Sequence, residues 1–277
     1  MLIRCWGARG SIPVSGEEYL RYGGDTPCME IRTRNGAVVI IDAGSGVRRL
    51  GNRLLEENLK NYTLIFTHAH WDHIMGFPFF KPIYRRDARI RLYGCPFAQA
   101  SVREMISRIM TPPNFPVNFD EIKAEIHYEE ACQAPFSVGG LTVTPIPLSH
   151  PNQGMGYRFA EDGKSFVFLT DNELAYRHPG GRAAEDYAAF AKGADLLIHD
   201  AEYRPEDYCR TKGWGHSVHT DALQLALDAG VRRLGLYHHN QERTDLDVEE
   251  MVADCRKLAA GSALSCFAMH QDMEIVL

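Results

Sequence analysis

Several features that would place this chain in a familiar class are missing from its sequence. The seven cysteines are scattered and form no C-x-x-C pair, which argues against a disulfide framework and against a zinc site built from thiolates. No apolar run approaches the roughly 18 residues of a membrane span, and the N-terminal stretch MLIRCWGARG lacks the apolar core of a signal peptide. We therefore expect no membrane partner and a reducing, cytoplasmic compartment.

An excess of positive charge is also lacking. The 36 acidic residues outnumber the 30 basic ones, and the formal net charge is -6. A chain without an overall basic field has little attraction for long nucleic acid, so a small anionic substrate is the expected partner. No internal repeat or low-complexity segment divides the 277 residues, which fit one large domain. We expect a single domain over 1–277, and the sequence leaves a homodimer open.

Short runs rich in β-branched residues recur along the chain and alternate in places with amphipathic helical stretches such as HTDALQLALDAG. Nine of these runs read as strands: AVVIID, YTLIFT, RIRLYG, LTVTPIPL, SFVFLTD, ADLLIHD, VRRLGLYHH, ALSCFAM and MEIVL. Strands that are joined partly by helices predict an α/β protein with two packed sheets and helices outside them.

The segment 96–135 differs from the rest of the chain. It begins with a predicted helix over 97–110 and continues as the proline-rich and phenylalanine-rich stretch TPPNFPVNF. Two interpretations are equally open: a lid or rim over an active site, and an ordinary surface insertion.

The stretch THAHWDH, residues 67–73, contains four side chains that can bind metal ions: His68, His70, Asp72 and His73. Imidazole is a common metal ligand because it binds in its neutral form near pH 7. The cluster follows the predicted strand YTLIFT directly. It is therefore placed in a loop at the end of a strand, where sites are commonly built.

Other predicted strands also end in an acid or an imidazole. His150 follows LTVTPIPL, Asp171 follows SFVFLT, Asp200 follows ADLLIH and His238 follows VRRLGLY. A single ending of this kind would be unremarkable, but the repetition predicts one shared site at an edge of the sheets.

The spacing H-x-H-x-D-H, followed in order by these residues, resembles the metallo-β-lactamase superfamily over nearly the whole chain. VVIIDAGSG resembles an early motif of that family, with Asp42 as a buried orienting residue, while PLSHPNQGMGY and FLTDNE resemble its third and fourth motifs, with His150 and Asp171. The resemblance implies a four-layer αββα sandwich with metal ions at one edge of the two sheets.

Within the superfamily, the C-terminal part is similar to the ribonuclease Z and cyclic phosphodiesterase branch. LLIHDAEY, GWGHSVHTDA and RLGLYHHN match a strand-end acid, a Gly-His-Ser motif that opens a helix, and a strand ending in a ligand histidine. The matched residues are Asp200, His216 and His238. By this resemblance one metal ion is held by His68, His70, His150 and Asp171, and a second by Asp72, His73, Asp171 and His238.

The resemblance implies a dinuclear metal-dependent hydrolase that attacks a small or cyclic-nucleotide-like phosphodiester through a metal-bridging hydroxide. Nitrogen and carboxylate ligands suit zinc, and manganese and iron accept them as well. Asp72, His216 and Asp200 are the predicted catalytic residues, with His216 as proton donor to the leaving group and Asp200 holding its other ring nitrogen. RNA 3′-end processing, hydrolysis of a carboxylic ester, thioester or lactam, and a catalytically dead binding protein on the same fold are the alternatives.

Two departures from ribonuclease Z bear on the substrate. Trp71 stands where that enzyme usually has a small residue, and we expect its ring to pack under the loop rather than to stack on a nucleobase. His150 and Asp171 are only 21 positions apart, which leaves no room for the long arm that grips tRNA in ribonuclease Z. Small phosphodiesters are therefore expected ahead of tRNA.

Overall fold

The computed structural model describes residues 1–95, 101–130 and 134–277. Its strands form two seven-stranded sheets, in the orders β14-β1-β2-β3-β4-β5-β6 and β13-β12-β11-β10-β9-β8-β7. The strands are β1 Leu2–Gly7, β2 Cys28–Arg32, β3 Val38–Ile41, β4 Asn61–Ile65, β5 Arg89–Gly94, β6 Glu125–Glu130, β7 Phe136–Val138, β8 Leu141–Pro147, β9 Met155–Glu161, β10 Lys164–Leu169, β11 Leu196–Asp200, β12 Arg233–Tyr237, β13 Ser265–Ala268 and β14 Glu274–Val276.

Each sheet has an antiparallel part and a parallel part. In the first sheet β14, β1, β2 and β3 pair antiparallel, and β3, β4, β5 and β6 pair parallel. In the second, β7, β8, β9 and β10 pair antiparallel, and β10, β11, β12 and β13 pair parallel. β8 therefore runs in the same direction as β10, and its carboxyl end lies at the same edge of the sheet.

Helices connect the strands on the outer faces of the sheets. They are α1 Val47–Glu56, α2 Trp71–Ile74, α3 Val102–Ile109, α4 Ala184–Ala191, α5 Pro205–Thr211, α6 His219–Asp228 and α7 Asp245–Leu258. Short 3₁₀ helices span Glu17–Tyr19, Phe77–Phe79, Lys81–Tyr84 and Phe119–Glu121. In the part of the chain that the structure describes, no helix is long and apolar enough to cross a membrane.

Three apolar clusters hold the layers together. The central cluster lies between the sheets and includes Ile31, Ile41, Phe166 and Ile198, which are fully buried. A second cluster packs α1 and α3 onto the outer face of the first sheet, and a third packs α4, α6 and α7 onto the outer face of the second. The predicted αββα sandwich is therefore confirmed.

All nine predicted strands are present, and the five strands that were not among them are β1, β2, β6, β7 and β9. The sequence of β6, EIHYEE, is rich in charge because this strand lies at the edge of its sheet. The sequence of β7 contains only three residues, which is too short to display a period.

The segment 96–135 is described only in part, because residues 96–100 and 131–133 lie outside the described residues. The predicted helix over 97–110 is observed from Val102, and the Ser101 hydroxyl caps it by accepting the Glu104 N–H at 3.1 Å. Val102 and Ile106 are buried against the first sheet. Whether the segment serves as a lid stays a prediction.

Among the described residues, five cysteines are free thiols: Cys5, Cys28, Cys209, Cys255 and Cys266. Cys95 is disulfide-bonded. The scattered cysteines therefore include a disulfide that their spacing did not indicate, although those named here take no part in the metal-binding groups described below.

Candidate metal centre

The predicted ligands meet at the edge where the parallel strands end. β3 leads into Asp42, β10 into Asp171 and β12 into His238, and these residues have φ angles of 61°, 52° and 58°. A positive φ is uncommon for a residue with a side chain and often marks a functional site. At each of these residues the backbone turns away from the direction of the strand. The side chain of the residue therefore reaches the site at the edge of the sheet instead of following the alternation of the strand.

The first group of metal-type ligands consists of His68, His70, His150 and Asp171, whose ligand atoms all lie within 4.8 Å of one another. His150 Nε2 is 2.9 Å from His70 Nδ1, and His68 Nε2 is 3.4 Å from Asp171 Oδ2. His70 is half-buried and the other members are buried. This is the first set that the sequence predicted, and its ligand role stays a prediction.

The second group consists of Asp72, His73, Asp171 and His238, again within 4.8 Å of one another. His238 Nε2 lies 3.0 Å from Asp72 Oδ2, and His73 Nε2 lies 3.1 Å from Asp171 Oδ1. Asp171 belongs to both groups: Oδ1 faces His73, while Oδ2 lies 3.4 Å from both His68 and His238. Its carboxylate is thus placed where a bridging ligand would be.

Asp42 and Thr67 orient two of the histidines. Asp42 Oδ2 accepts a hydrogen bond from His73 Nδ1 at 2.8 Å, and the Thr67 backbone and side chain bond to the same carboxylate at 2.8 Å each. Thr67 Oγ1 also lies 3.0 Å from His68 Nδ1. Because Nδ1 is occupied in both rings, Nε2 faces the site. Such outer partners fix the tautomer and orientation of ligand histidines.

A backbone carbonyl orients His150. Its Nδ1–H donates to Gly215 O at 2.8 Å, and Gly215 itself has a φ of +97°. A Cβ added to Gly215 would lie 2.1 Å from His150 Nδ1, which is far inside van der Waals contact. Only glycine therefore allows the 213–216 loop to approach this ligand so closely.

We expect Gly215→Ala to lose the metal ion of the first group, because the new methyl must displace the His150 ring or the loop. Gly213→Ala is a matched control: Gly213 has a φ of +87°, yet an added Cβ would meet nothing within 4 Å. Both variants carry the backbone cost of about 1–2 kcal/mol for a left-handed alanine. Elemental analysis should find close to one ion per chain in Gly215→Ala and two in Gly213→Ala. Equal metal content in both variants would contradict this geometry.

Glu202 is a site residue that the sequence analysis missed. Its Oε2 accepts from His238 Nδ1 at 2.9 Å, and its Oε1 accepts from the Asn240 amide at 2.7 Å. The carboxylate is 3% exposed and so exerts its charge in a buried environment. It orients His238 in the way that Asp42 orients His73. Glu202 lies in the LLIHDAEY stretch. Only Asp200, two residues earlier, was predicted, because it directly follows a predicted strand.

Glu202→Ala should lower the affinity for the metal ion of the second group by roughly 10–100-fold, which is the usual cost of losing such an outer partner. Competition with a chelator would measure the two affinities separately. The ion of the first group serves as the internal control, because Glu202 is hydrogen-bonded to His238, which belongs to the second group and not to the first. If both affinities remain at their wild-type values, Glu202 does not support His238 in the assigned way.

Burial lowers the pKa of each histidine in the first group. It holds the pKa of His68 and of His150 well below the usual histidine range, and it lowers the pKa of His70. These imidazoles are consequently neutral near pH 7, which is the form that binds a metal ion.

The second group behaves differently because it contains more carboxylate. Burial alone would lower the pKa of His73 and of His238, but the carboxylate of Asp171, with that of Asp72, raises both well above the usual range. The same ion pairs outweigh burial and hold the pKa of Asp72 and of Asp171 well below the carboxyl range. A metal ion at this group would take the place of protons, so that binding releases them.

The donor set fits divalent metal ions. His68 Nε2 is buried and has no hydrogen-bond partner among the described residues, although an unpaired buried polar atom is costly. Imidazole and carboxylate ligands without thiolate are accepted by zinc, manganese and iron. The His/Asp cluster is therefore suited to a dinuclear site, and a ligand position for His68 Nε2 would satisfy its unpaired atom.

His216 lies next to both groups and has the partner that the sequence predicted. Its Nδ1 is 2.6 Å from Asp200 Oδ2 and 3.3 Å from Glu202 Oε2. Its ring stacks on that of His238 with centroids 4.7 Å apart. Burial lowers the pKa of His216, but the two carboxylates outweigh it and raise this pKa to about 9. Without a metal ion at the neighbouring groups, the imidazole is therefore protonated near pH 7.

Glu173 is a second residue without a sequence signal. Its buried carboxylate accepts four hydrogen bonds, from Gly213 N at 2.7 Å, Gly215 N at 2.8 Å, Tyr208 Oη at 2.6 Å and His178 Nε2 at 2.8 Å. These bonds fix the 213–216 loop, which carries His216. Glu173 thus holds the loop in place from a position two residues beyond Asp171.

The prediction that Trp71 packs under its loop is wrong. The Trp71 side chain is 59% exposed, because α2 turns its neighbours Asp72 and His73 inward and leaves position 71 on the outer side of this single helical turn. The inner side of the loop is closed instead by the β1–β2 connection, whose Ser11 N–H donates to Asp72 Oδ2 at 2.9 Å.

Comparison with known proteins agrees with this geometry. A family model described as the beta-lactamase superfamily domain matches residues 38–239. Ribonuclease Z of Metallosphaera sedula is 24% identical over 269 residues, covering 81% of this chain and 86% of that protein. The metallo-beta-lactamase fold protein YhfI of Bacillus subtilis superposes with a TM-score of 0.71 at 16% identity, covering 99% and 98% of the two chains. A diphosphatase from the PhnP family gives a TM-score of 0.69 at 19% identity, covering 100% and 97%. The resemblance found in the sequence is confirmed.

Proposed function

The chain belongs to the beta-lactamase superfamily and is a metal-dependent hydrolase, and from that premise we propose that it hydrolyses a small phosphodiester with two divalent metal ions. The observation that carries the proposal is the buried His216–Asp200 pair, 2.6 Å apart, beside two groups of metal-type ligands. An alkoxide leaving a phosphodiester needs a proton, and this pair supplies a positioned donor next to the metal-binding groups. Because both sheets contribute ligands, we propose that residues 1–277 act as one domain.

The metal ions, for which zinc is our first choice, would supply an activated water and the positive charge that neutralises the phosphoryl oxygens. Asp72 and Asp171 carry two negative charges against the four positive charges of two divalent ions. The remaining positive charge favours an anionic phosphodiester even though the whole chain has a net charge of -6.

The chain's own residues orient the ligands and deliver the proton. Asp42 and Glu202 hold His73 and His238 so that Nε2 of each ring faces the site. Asp200 holds Nδ1 of His216, which leaves Nε2–H free to donate to the departing alcohol oxygen. One water is consumed, and the products are a phosphomonoester and an alcohol, which remain parts of one molecule when the diester is cyclic.

A small substrate is favoured over tRNA by the connection between the third and fourth motifs. Between His150 and Asp171 the chain forms the hairpin of β9 and β10, whose strands are separated only by Asp162 and Gly163. No arm extends from this hairpin, all of which lies within the described range 134–277. The similarity to a diphosphatase from the PhnP family supports a small phosphorus substrate.

RNA 3′-end processing is the second candidate, and the curated relatives named ribonuclease Z favour it. Carbonyl hydrolysis of an ester, thioester or lactam, and a binding protein without activity, remain as further alternatives from the sequence. Each predicts a different outcome in a single substrate panel.

We expect the protein, loaded with zinc or manganese, to hydrolyse bis-p-nitrophenyl phosphate and cyclic nucleotides. The panel also includes a tRNA precursor, a thioester and a chromogenic cephalosporin, with Asp171→Asn as the inactive control. Turnover confined to the thioester and cephalosporin would refute the proposal, and specific cleavage of the tRNA precursor alone would favour the nuclease. A protein that binds no metal and turns over no substrate would favour the binding protein.

A further inference from the structure

A cavity of about 510 Å³ adjoins the metal centre, and we call it the side cavity. Its lining includes Ser11, Glu202, Tyr203, Trp214, His216 and Gln241. None of the seven predicted metal ligands is among the lining residues. The side cavity is therefore next to the proposed proton donor without being part of the metal-binding groups.

The position of His216 decides which part of a substrate would enter the side cavity. The ring that donates a proton must contact the departing oxygen in the transition state. Because the same ring forms part of the cavity wall, the group bonded to that oxygen extends into the side cavity. The lining residues consequently contact the leaving group, whereas the retained phosphoryl group stays at the metal centre.

An aromatic ring lines the side cavity and is available for stacking. Trp214 is 63% exposed, although its flanking glycines are held firmly, since the N–H groups of Gly213 and Gly215 both donate to Glu173. A second ring, that of Tyr203, packs edge-on against His216 with centroids 5.9 Å apart. The Trp214 backbone is thus fixed while most of the residue's surface is left in water, so that the side chain is available for stacking.

The polar groups of the side cavity favour a neutral ligand. Glu202, Asp207 and Glu242 line it together with Arg210 and Arg243, and Arg243 is already ion-paired with Asp207. The lining of the side cavity therefore has no excess of positive charge that would bind a further phosphate.

We propose, on the basis of the proposed function, that the side cavity binds a neutral, planar aromatic leaving group that stacks on Trp214. A nucleoside has this chemistry. A simple aryl alcohol shares the planar ring but has a smaller one. The two sources are distinguished by their relative affinities, because the larger ring of a nucleobase covers more of the indole.

Equilibrium binding to the metal-loaded protein tests this without any turnover. Isothermal titration with adenosine, ribose and benzyl alcohol separates the base, the sugar and a plain ring. Adenosine should bind more tightly than ribose. Trp214→Ala should lower the affinity for adenosine by roughly 5- to 150-fold, which is the effect of losing one base–aromatic stack. Trp214→Phe should keep most of the affinity.

Phe79→Ala is the matched control, because Phe79 is also an exposed aromatic residue, at 53%, but does not line the side cavity. It should bind adenosine as the wild-type protein does. Equal binding of adenosine and ribose, or an unchanged adenosine affinity in Trp214→Ala, would overturn the proposal. Benzyl alcohol binding as tightly as adenosine would identify a simple aryl alcohol, rather than a nucleoside, as the source of the ring.

A kinetic comparison separates this proposal from the proposed function. Two diesters with the same leaving sugar oxygen are compared, one with a base on that sugar and one without. The base should raise kcat/KM by roughly 5- to 150-fold in the wild-type protein and far less in Trp214→Ala. Hydrolysis of both diesters at equal rates would refute the proposal that the side cavity binds the leaving group, and it would not contradict the proposed function. Adenosine binding that depends on Trp214, without hydrolysis of any diester, would refute the function and support the cavity.

Discussion

Asp171→Asn is expected to reduce the metal content from two ions per chain to one or none and to lower the rate of phosphodiester hydrolysis by at least about 10³-fold, since metal ions contribute several kcal/mol of charge stabilisation in such sites. Asp171 is the one residue shared by both ligand groups. Asparagine has nearly the same shape, so the effect isolates the loss of the negative charge and of the second carboxylate oxygen. Elemental analysis and a bis-p-nitrophenyl phosphate assay on the same preparation measure both quantities.

Asp195→Asn provides the matched control. Asp195 is also nearly buried and precedes β11 at the opposite end of that strand from Asp200, where it accepts the Ser165 N–H at 3.0 Å. We expect this variant to lose some thermal stability but to retain two ions and its activity. If Asp171→Asn keeps both ions, the bridging position is wrong. His70→Ala should remove only the ion of the first group, because His70 belongs to that group alone.

His216→Ala should retain both metal ions and lose about 10²–10⁴-fold in rate on diesters with poor leaving groups, which is the usual contribution of a general acid. The loss should be smallest on p-nitrophenyl esters, because p-nitrophenolate departs without a proton. The reason is geometric: His216 is held by Asp200 at 2.6 Å and stacks on His238, whose Nε2 faces the metal-binding groups. A series of diesters of increasing leaving-group pKa measures the effect as a slope.

The control is His127→Ala, because His127 lies on the edge strand β6 and its side chain is 57% exposed. This variant should match the wild-type protein on every substrate. Asp200→Asn should show a weaker form of the His216→Ala pattern, since the ring keeps a hydrogen-bond acceptor but loses the charge beside it. His216 can also form a group with Asp200 and His238. If His216→Ala loses an ion, His216 is a ligand, and an unchanged rate on poor leaving groups would refute its role as proton donor.

The sequence by itself predicted the nature of the site because its ligands have local signals. His68, His70, Asp72 and His73 lie within one short loop, and His150, Asp171 and His238 each follow a recognisable buried strand. Parallel strands bring their carboxyl ends to one edge of a sheet, so a strand pattern together with the residue after each strand implies convergence. The α/β class, the two-sheet architecture and the convergence of these residues were therefore accessible before the structure, and the resemblance to the metallo-β-lactamase superfamily implied their division into two ligand groups.

The tertiary structure alone decided what surrounds these ligands. Glu202 bonds to a histidine 36 positions away, Gly215 O to one 65 positions away, and Glu173 holds a loop 40–42 positions away. Partners so distant in sequence meet only because the strands pair in a particular order, and no local periodicity records that order. For the same reason the exposure of Trp71 could not be predicted: which side of a single helical turn faces water depends on what packs against it, and the β1–β2 loop that does so lies about 60 residues earlier.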